Sequence, residues 1–374
     1  MMKVTDIRLQ STDTTQELSA TIDGFHLWYR FPAGYRISTR GDTFLAAALL
    51  PAMRAGETLV IEGAPVSRTL LRGIAKIQEI FHVWNPDFKI IDVHAETDEA
   101  ELGNAGVSSF FSGGVDGTYT FLRHAEEISH LVFIKGVDIQ IDNDALFDAA
   151  LANNRRFADA YGKTLLAVET NIRRFCHPRG VPWGSTYCGS GLASVALALG
   201  FSRTYVASSM TFADLIPWGT HPLLDPLWST EATTMVHDGA EARRSEKLRE
   251  ISRSRQALDI LRVCWQDAGY NCGRCEKCVR TMVALRLLKL SSPNFPPLTS
   301  LEPLRRMRVV VDSDVMEFED NLVLARQTGD HEVAAAIEKI IRRYRLRTLF
   351  VDLDTQLTAG RMKRAFRRLR PLRN

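Results

Sequence analysis

No uninterrupted run of about 18 apolar residues occurs in the 374-residue sequence, so no membrane-spanning helix is expected. The opening Met1-Met2-Lys3-Val4-Thr5-Asp6 carries early acid and no apolar segment, so a secretory leader is not expected there. Cysteine is scarce, and 6 residues in a chain of this length do not make a disulfide scaffold. Surplus charge is scarce as well. The net charge is +3, and seven Lys/Arg with no acid fall between Arg361 and Asn374, so the remainder is slightly acidic, which excludes a general nucleic-acid surface. Internal repeats and low-complexity tracts are absent, which excludes a solenoid. What is present is an ordinary globular composition, 45% apolar and 24% charged, long enough for two or three compact units. Four of the cysteines crowd between positions 264 and 278, a pattern that fits metal binding in a reducing compartment. The expected location is cytoplasmic.

Local patterns divide the chain into three parts. Over residues 1–104, strands are predicted at Glu17–Ile22, His26–Tyr29, Thr58–Ile61 and Lys89–Val93. Helices are predicted at Thr43–Leu50, ending before Pro51, and at Arg68–Val83, where apolar residues recur at three and four. This reads as an α+β module, with the polar Ala95–Asn104 as a linker. Over 105–290 the pattern alternates. Strands are predicted at Val107–Phe111, His130–Lys135, Thr164–Glu169 and Arg203–Ala207, and helices at Tyr119–Glu127, Asp144–Tyr161 and Ala193–Leu199. Alternation of this kind predicts an α/β domain with a parallel sheet. After a break at Pro293, Pro296, Pro297 and Pro303, the spacing of Val333, Ile337, Ile340 and Tyr344 predicts a helical region over 291–374.

The first strand of the alternating part runs into Ser112-Gly113-Gly114-Val115-Asp116-Gly117-Thr118. Glycines there permit a sharp turn and leave amide N–H groups uncovered, and the following helix directs its positive end at the same place. A phosphate fits such a turn, with Ser112 and Thr118 as hydroxyl donors. Asp116 fits it only as a cap for the helix amides or beside Mg²⁺. An unliganded strand-to-helix turn with Asp116 as N-cap fits the same residues. No Gly-Lys-Ser/Thr follows, so this is not a Walker loop.

Cys264, Cys272, Cys275 and Cys278 are separated by seven, two and two residues. Four thiolates at this spacing suit a tetrahedral Zn²⁺ with no open position, hence a structural zinc knuckle. Arg274, Lys277 and Arg280 would offset its negative charge. Metal-free cysteines or a redox Cys-x-x-Cys are the competing readings, and a third cysteine in register weighs against the redox motif.

Together, Ser112-Gly113-Gly114-Val115-Asp116 and Cys272-Gly273-Arg274-Cys275-Glu276-Lys277-Cys278 resemble the PP-loop (N-type) ATP pyrophosphatases. The likeness is to their 7-cyano-7-deazaguanine synthase (QueC-like) branch, over roughly Val107 to Leu290. The resemblance implies a PP-loop domain that takes ATP and Mg²⁺, cleaves ATP between its α and β phosphates, and adenylates a carboxylate or amide for attack by a nitrogen nucleophile. Zinc would be structural. Ser112, Asp116 and Lys135 would be catalytic, and Ser112, Gly113, Gly114, Asp116, Gly117 and Thr118 would hold the nucleotide. One position departs, since the signature ends in Ser where this chain has Gly117. The substrate would be a small acid or a modified macromolecule. The likeness leaves room for sulfur transfer to RNA through Cys176 or Cys188, and for a catalytically silent nucleotide- or partner-binding protein.

Weaker signals complete the reading. Cys188-Gly189-Ser190-Gly191 reads as a tight turn into a helix, and His221 and Asp225 lie in a proline-bounded loop that either contacts substrate or is structural. Arg244 or Lys247, opening a charged helical stretch, would neutralise phosphate in a PP-loop enzyme. The basic segment Arg361–Arg373 either meets an acidic partner, lipid or nucleic acid, or is a solvated terminus.

Overall fold

The computed structural model describes residues 1–101, 103–266, 268–309 and 312–358. The basic segment at Arg361–Arg373, with its expected acidic partner, lies outside them. One compact unit comprises Met1–Asn271, and a second begins at Cys272.

Ten strands of the first unit share one sheet: β1 (Met2–Ser11), β2 (Thr15–Ile22), β3 (Phe25–Pro32), β4 (Leu59–Ile61), β6 (Val93–His94), β8 (Asn104–Phe110), β9 (His130–Lys135), β10 (Thr164–Thr170), β11 (Phe201–Ala207) and β12 (Thr234–Asp238). The short β5 (Val66–Ser67) and β7 (Thr97–Asp98) pair separately. The order across the large sheet is β12-β11-β8-β9-β10-β3-β2-β1-β4-β6. Parallel pairing joins β12, β11, β8, β9 and β10. At β10 the direction changes, because β3 pairs with it antiparallel through Glu169↔Arg30 and Thr170↔Tyr29. The predicted α/β class with a mostly parallel sheet is therefore observed. Residues 1–104 and 105–290, expected as separate bodies, contribute strands to the same sheet.

The helices of this unit are α1 (Asp42–Ala55), α2 (Arg68–Trp84), α3 (Val115–Arg123), α4 (Asp144–Ala160), α5 (Ile172–Cys176), α6 (Cys188–Leu199), α7 (Arg244–Ile251) and α8 (Arg255–Asp259). Burial follows the sequence pattern where one face is covered. In α2 the buried positions include Leu70, Ile74, Ile77 and Phe81, and Ser67 caps the helix by accepting from the Leu70 N–H at 3.0 Å. β9, apolar from Leu131 to Ile134, is buried on both faces, as a central parallel strand requires.

Two expectations are revised. Helix α1 does not stop before Pro51 but runs through it to Ala55. Proline there removes the N–H that would have bonded the Ala47 carbonyl. The Tyr187 hydroxyl donates to that carbonyl at 2.6 Å, and the Ser190 hydroxyl donates to its neighbour on Ala46 at 2.5 Å. Tertiary donors thus replace the lost helical bond. Second, Cys188-Gly189-Ser190-Gly191 is not a turn but the first turn of α6. Its glycines serve close packing: a Cβ on Gly189 would stand 2.0 Å from the Gly219 carbonyl, and one on Gly191 2.5 Å from the Trp183 ring.

The second unit is helical, with α9 (Glu276–Leu287), α10 (Glu302–Arg305), α11 (Asp312–Thr328) and α12 (His331–Thr358). Val279, Val283, Phe318, Leu322, Val333 and Ile337 belong to its core, so the predicted spacing at Val333 and Ile337 marks a buried face. Among the described residues no helix is long and apolar enough to cross a membrane.

In α2, Gly73 lies where a Cβ would meet the Leu227 carbonyl at 1.9 Å. Alanine normally favours a helix over glycine by about 1 kcal/mol. Here the sign is expected to reverse. Gly73→Ala should lose about 1–3 kcal/mol of stability by urea denaturation, as overpacked sites do. A gain in stability would contradict this packing.

Candidate functional site

Strand order decides where a ligand can reach the sheet. From β8 the chain moves to β9 and β10 on one side, then crosses back to β11 and β12 on the other. The reversal lies between β8 and β11, and in open α/β sheets the crevice at the carboxyl ends of such strands is where ligands bind. The glycine turn leaves β8 at that edge, and Ser208 follows the end of β11.

Gly113 has φ +75°, in the left-handed region, and a Cβ on it would stand 2.8 Å from Asn154 Oδ1 and 3.1 Å from the Ile260 carbonyl. Glycine is needed there on both counts. Gly114 is the N-cap of α3, in extended conformation, and no side chain caps the helix. Among the described residues, the N–H groups of Gly113, Gly114, Val115, Asp116 and Gly117 donate to no acceptor. The result is an uncapped row of amides at the positive end of a helix.

Asp116 does not cap those amides. Its Oδ2 accepts from Arg244 Nη1 at 2.7 Å and its Oδ1 from Lys247 Nζ at 3.2 Å. Burial alone would raise its pKa, but the charges of Arg244 and Lys247 prevail and hold the carboxyl well below its usual range. Lys247 also donates to the Ser208 carbonyl at 2.6 Å, tying the start of α7 to the end of β11. The two basic residues expected near phosphate therefore stand beside the turn, already paired with its acid.

Other expected residues are placed as follows. Ser112 opens the turn, and its Oγ lies 3.4 Å from where a Gly114 Cβ would be. Thr118 is fully buried and its hydroxyl has no partner among the described residues. Gly117 has a packing reason, since a Cβ there would stand 3.1 Å from the Phe110 carbonyl. Lys135 ends β9, nearly buried, with its ammonium on the Asp144 carboxylate and 5.3 Å above the Phe147 ring. His221 and Asp225 are buried together: Asp225 Oδ2 pairs with His237 Nδ1 at 2.7 Å, and Oδ1 accepts from the His221 N–H at 3.3 Å. Their surroundings fit the structural reading. Burial pushes the thiols of Cys176 and Cys188 up to about 12, with Asp225 adding to the rise at Cys188. At neutral pH neither is a ready nucleophile.

Arg262 escaped the sequence reading, because a lone arginine between Leu261 and Val263 shows no period or motif. Its N–H donates to the Gly113 carbonyl at 2.9 Å, and its carbonyl lies 3.6 Å from where a Gly114 Cβ would be. The segment around it is pinned by Asn271, whose Oδ1 accepts from Val263 and Cys264 and whose Nδ2 donates to Leu261.

The sulfur atoms of Cys264, Cys272, Cys275 and Cys278 all lie within 4.8 Å of one another. Four thiolates about a tetrahedral Zn²⁺ stand about 3.8 Å apart when each bond is about 2.3 Å. Cys272 and Cys278 are at 3.9 Å, and the Cys275 N–H donates to the Cys272 sulfur at 3.3 Å. The four residues therefore fit a metal ion, and zinc is the ion a four-sulfur set suits best.

Two outcomes follow. The chain should retain zinc after desalting, read by elemental mass spectrometry, and Cys275→Ser should lose it; an undiminished zinc content in C275S would remove the site. Because the folded Asp116 carboxyl titrates below the unfolded one, its pairing contributes stability at neutral pH that is lost as pH falls below about 4 toward the folded value. Asp116→Asn should therefore cost about 3 kcal/mol at pH 7 in urea denaturation, with the difference from the parent chain shrinking between pH 4 and pH 3. Compared with protein-family models, curated proteins and solved structures, the chain matches none of them.

Proposed function

We propose that the turn from Ser112 to Thr118 binds the phosphates of ATP and that the chain activates an acid by adenylation. The reading is carried by one observation: among the described residues the N–H groups from Gly113 to Gly117 have no acceptor, at the edge where the strand order reverses. The resemblance of Ser112-Gly113-Gly114-Val115-Asp116 to the pyrophosphatase signature, and Arg244 and Lys247 beside it, support the same reading.

In this reaction an oxygen of the substrate carboxylate attacks the α-phosphate, forming an acyl adenylate and breaking the bond to the β-phosphate. Pyrophosphate leaves on the turn, whose fixed amide dipoles favour the charge that builds there. Ammonia, or another amine, then attacks the acyl carbon and releases AMP. Both Asp116 oxygens are engaged by cations, so Asp116 does not fit as a ligand for Mg²⁺ in this arrangement. Sulfur transfer draws no support from Cys176 or Cys188, whose thiols stay protonated.

Incubation of the chain with ATP, Mg²⁺, ammonia and pooled small acids should yield AMP and pyrophosphate in equal amounts. Formation of ADP and phosphate instead would exclude attack at the α-phosphate, and tight ATP binding without turnover would favour a nucleotide sensor. Gly114 offers a sharper test. A Cβ there meets only ordinary contacts, 3.4 Å to Ser112 Oγ and 3.6 Å to the Arg262 carbonyl, and its φ of −77° suits any residue. Gly114→Ala should keep the melting temperature while lowering ATP affinity at least about tenfold, because the methyl crowds the amides. Unchanged affinity would take the phosphates off this turn.

A further inference from the structure

Arg244 and Lys247 share Asp116, and Lys135 is paired with Asp144. Among the described residues Arg262, only 3% exposed, has no carboxylate partner, and its Nε and Nη2 are buried with no hydrogen-bond partner. Its main chain is bonded to Gly113, so this guanidinium belongs to the segment against which the turn is built. Beside Gly113 stands a second unsatisfied group. Asn154 is fully buried, and neither its Oδ1 nor its Nδ2 has a partner among the described residues.

A buried guanidinium without an anion is among the costlier arrangements a fold can hold. Such a group is normally paired or hydrogen-bonded in the folded state. Asn154 beside the turn and Arg262, the residue whose main chain is bonded to it, both carry unsatisfied polar side chains among the described residues, and the turn's amides lack acceptors there as well; an acceptor-rich anion would meet these needs together. A guanidinium matches a phosphoryl group in geometry, and the Asn154 amide can add a further donor.

We propose that Arg262, whose main chain is bonded to Gly113 and whose buried guanidinium has no carboxylate partner among the described residues, is the phosphoryl receptor of this site, completed by a phosphate oxygen with Asn154 beside it. The assignment rests on the reading of the turn as a phosphate site and adds the residue that meets the ligand's charge. Arg244 and Lys247 then hold Asp116 and α7 in place. A consequence distinguishes a receptor from a structural arginine. Without ligand, removing the unpaired charge should leave the protein as stable as before or more so, as when a buried ionic group is replaced by an apolar one of similar size.

The experiment compares the full chain with Arg262→Met, which keeps an apolar stem, by titration calorimetry with inorganic pyrophosphate and with ATP, and by thermal unfolding without ligand. The parent chain should bind pyrophosphate, R262M should bind pyrophosphate and ATP at least about tenfold more weakly, and its melting temperature should be unchanged or raised. If R262M does not fold, Arg262→Lys, which keeps charge but not the planar fork, should still show a severalfold loss of pyrophosphate affinity. Equal pyrophosphate affinity in the variant overturns the proposal. So does a lowered melting temperature with affinity retained, or a parent chain that binds no pyrophosphate. Arg262-dependent pyrophosphate binding with no AMP formed from ATP would keep the receptor and remove the adenylation. Unaltered binding in R262M alongside normal AMP formation would do the reverse.

Discussion

Parallel pairing of β8 with both β9 and β11 is the constraint on which the rest of the first unit depends. Parallel strands cannot be joined by a tight hairpin, so each connection crosses the sheet and returns, and every strand of the set ends at the same edge. Because the chain departs from β8 in one direction and comes back on its other side, the two connections diverge there. The turn at Gly113 and Gly114 is thereby left without a neighbouring strand to use its amides.

Packing then fixes the turn tightly. Gly113 is pressed by Asn154 from α4 and by the Ile260 carbonyl, and Gly117 by the Phe110 carbonyl at the end of β8. This second contact gives a physical reason for the glycine where the resembling signature has serine: α3 leaves the strand so closely that a side chain would have to push back main chain. The same closeness shapes the electrostatics. With Asp116 enclosed between Arg244 and Lys247, its charge serves the folded state.

The N-terminal strands extend the parallel set rather than forming a body of their own. β3 lies antiparallel to β10, and α1 packs against α6, where Tyr187 and Ser190 supply the donors that Pro51 takes away. A buried helix containing proline is stable in this position because its freed carbonyl meets a hydroxyl. Tyr29 of β3 also donates to Ser194 of α6 at 2.9 Å, so the two parts are joined by side-chain bonds as well as by the sheet.

By itself the sequence determined the elements whose signal is local. The apolar run of β9, the three-and-four spacing of α2, the burial of Val333 and Ile337, and the cysteine spacing all depend on near neighbours, and each is found where expected. Residues close in sequence share a face or a ligand because helix and strand periods are fixed. Only tertiary structure decided the rest. Helix α1 outlasts its proline because of hydroxyls about 140 residues away, position 189 in α6 has no room for a Cβ because Gly219 lies against it, and Asp116 meets cations from α7 instead of capping α3. Arg262 is the extreme case. Nothing near it in the sequence marks it, and only the fold bonds its N–H to the Gly113 carbonyl and buries its side chain.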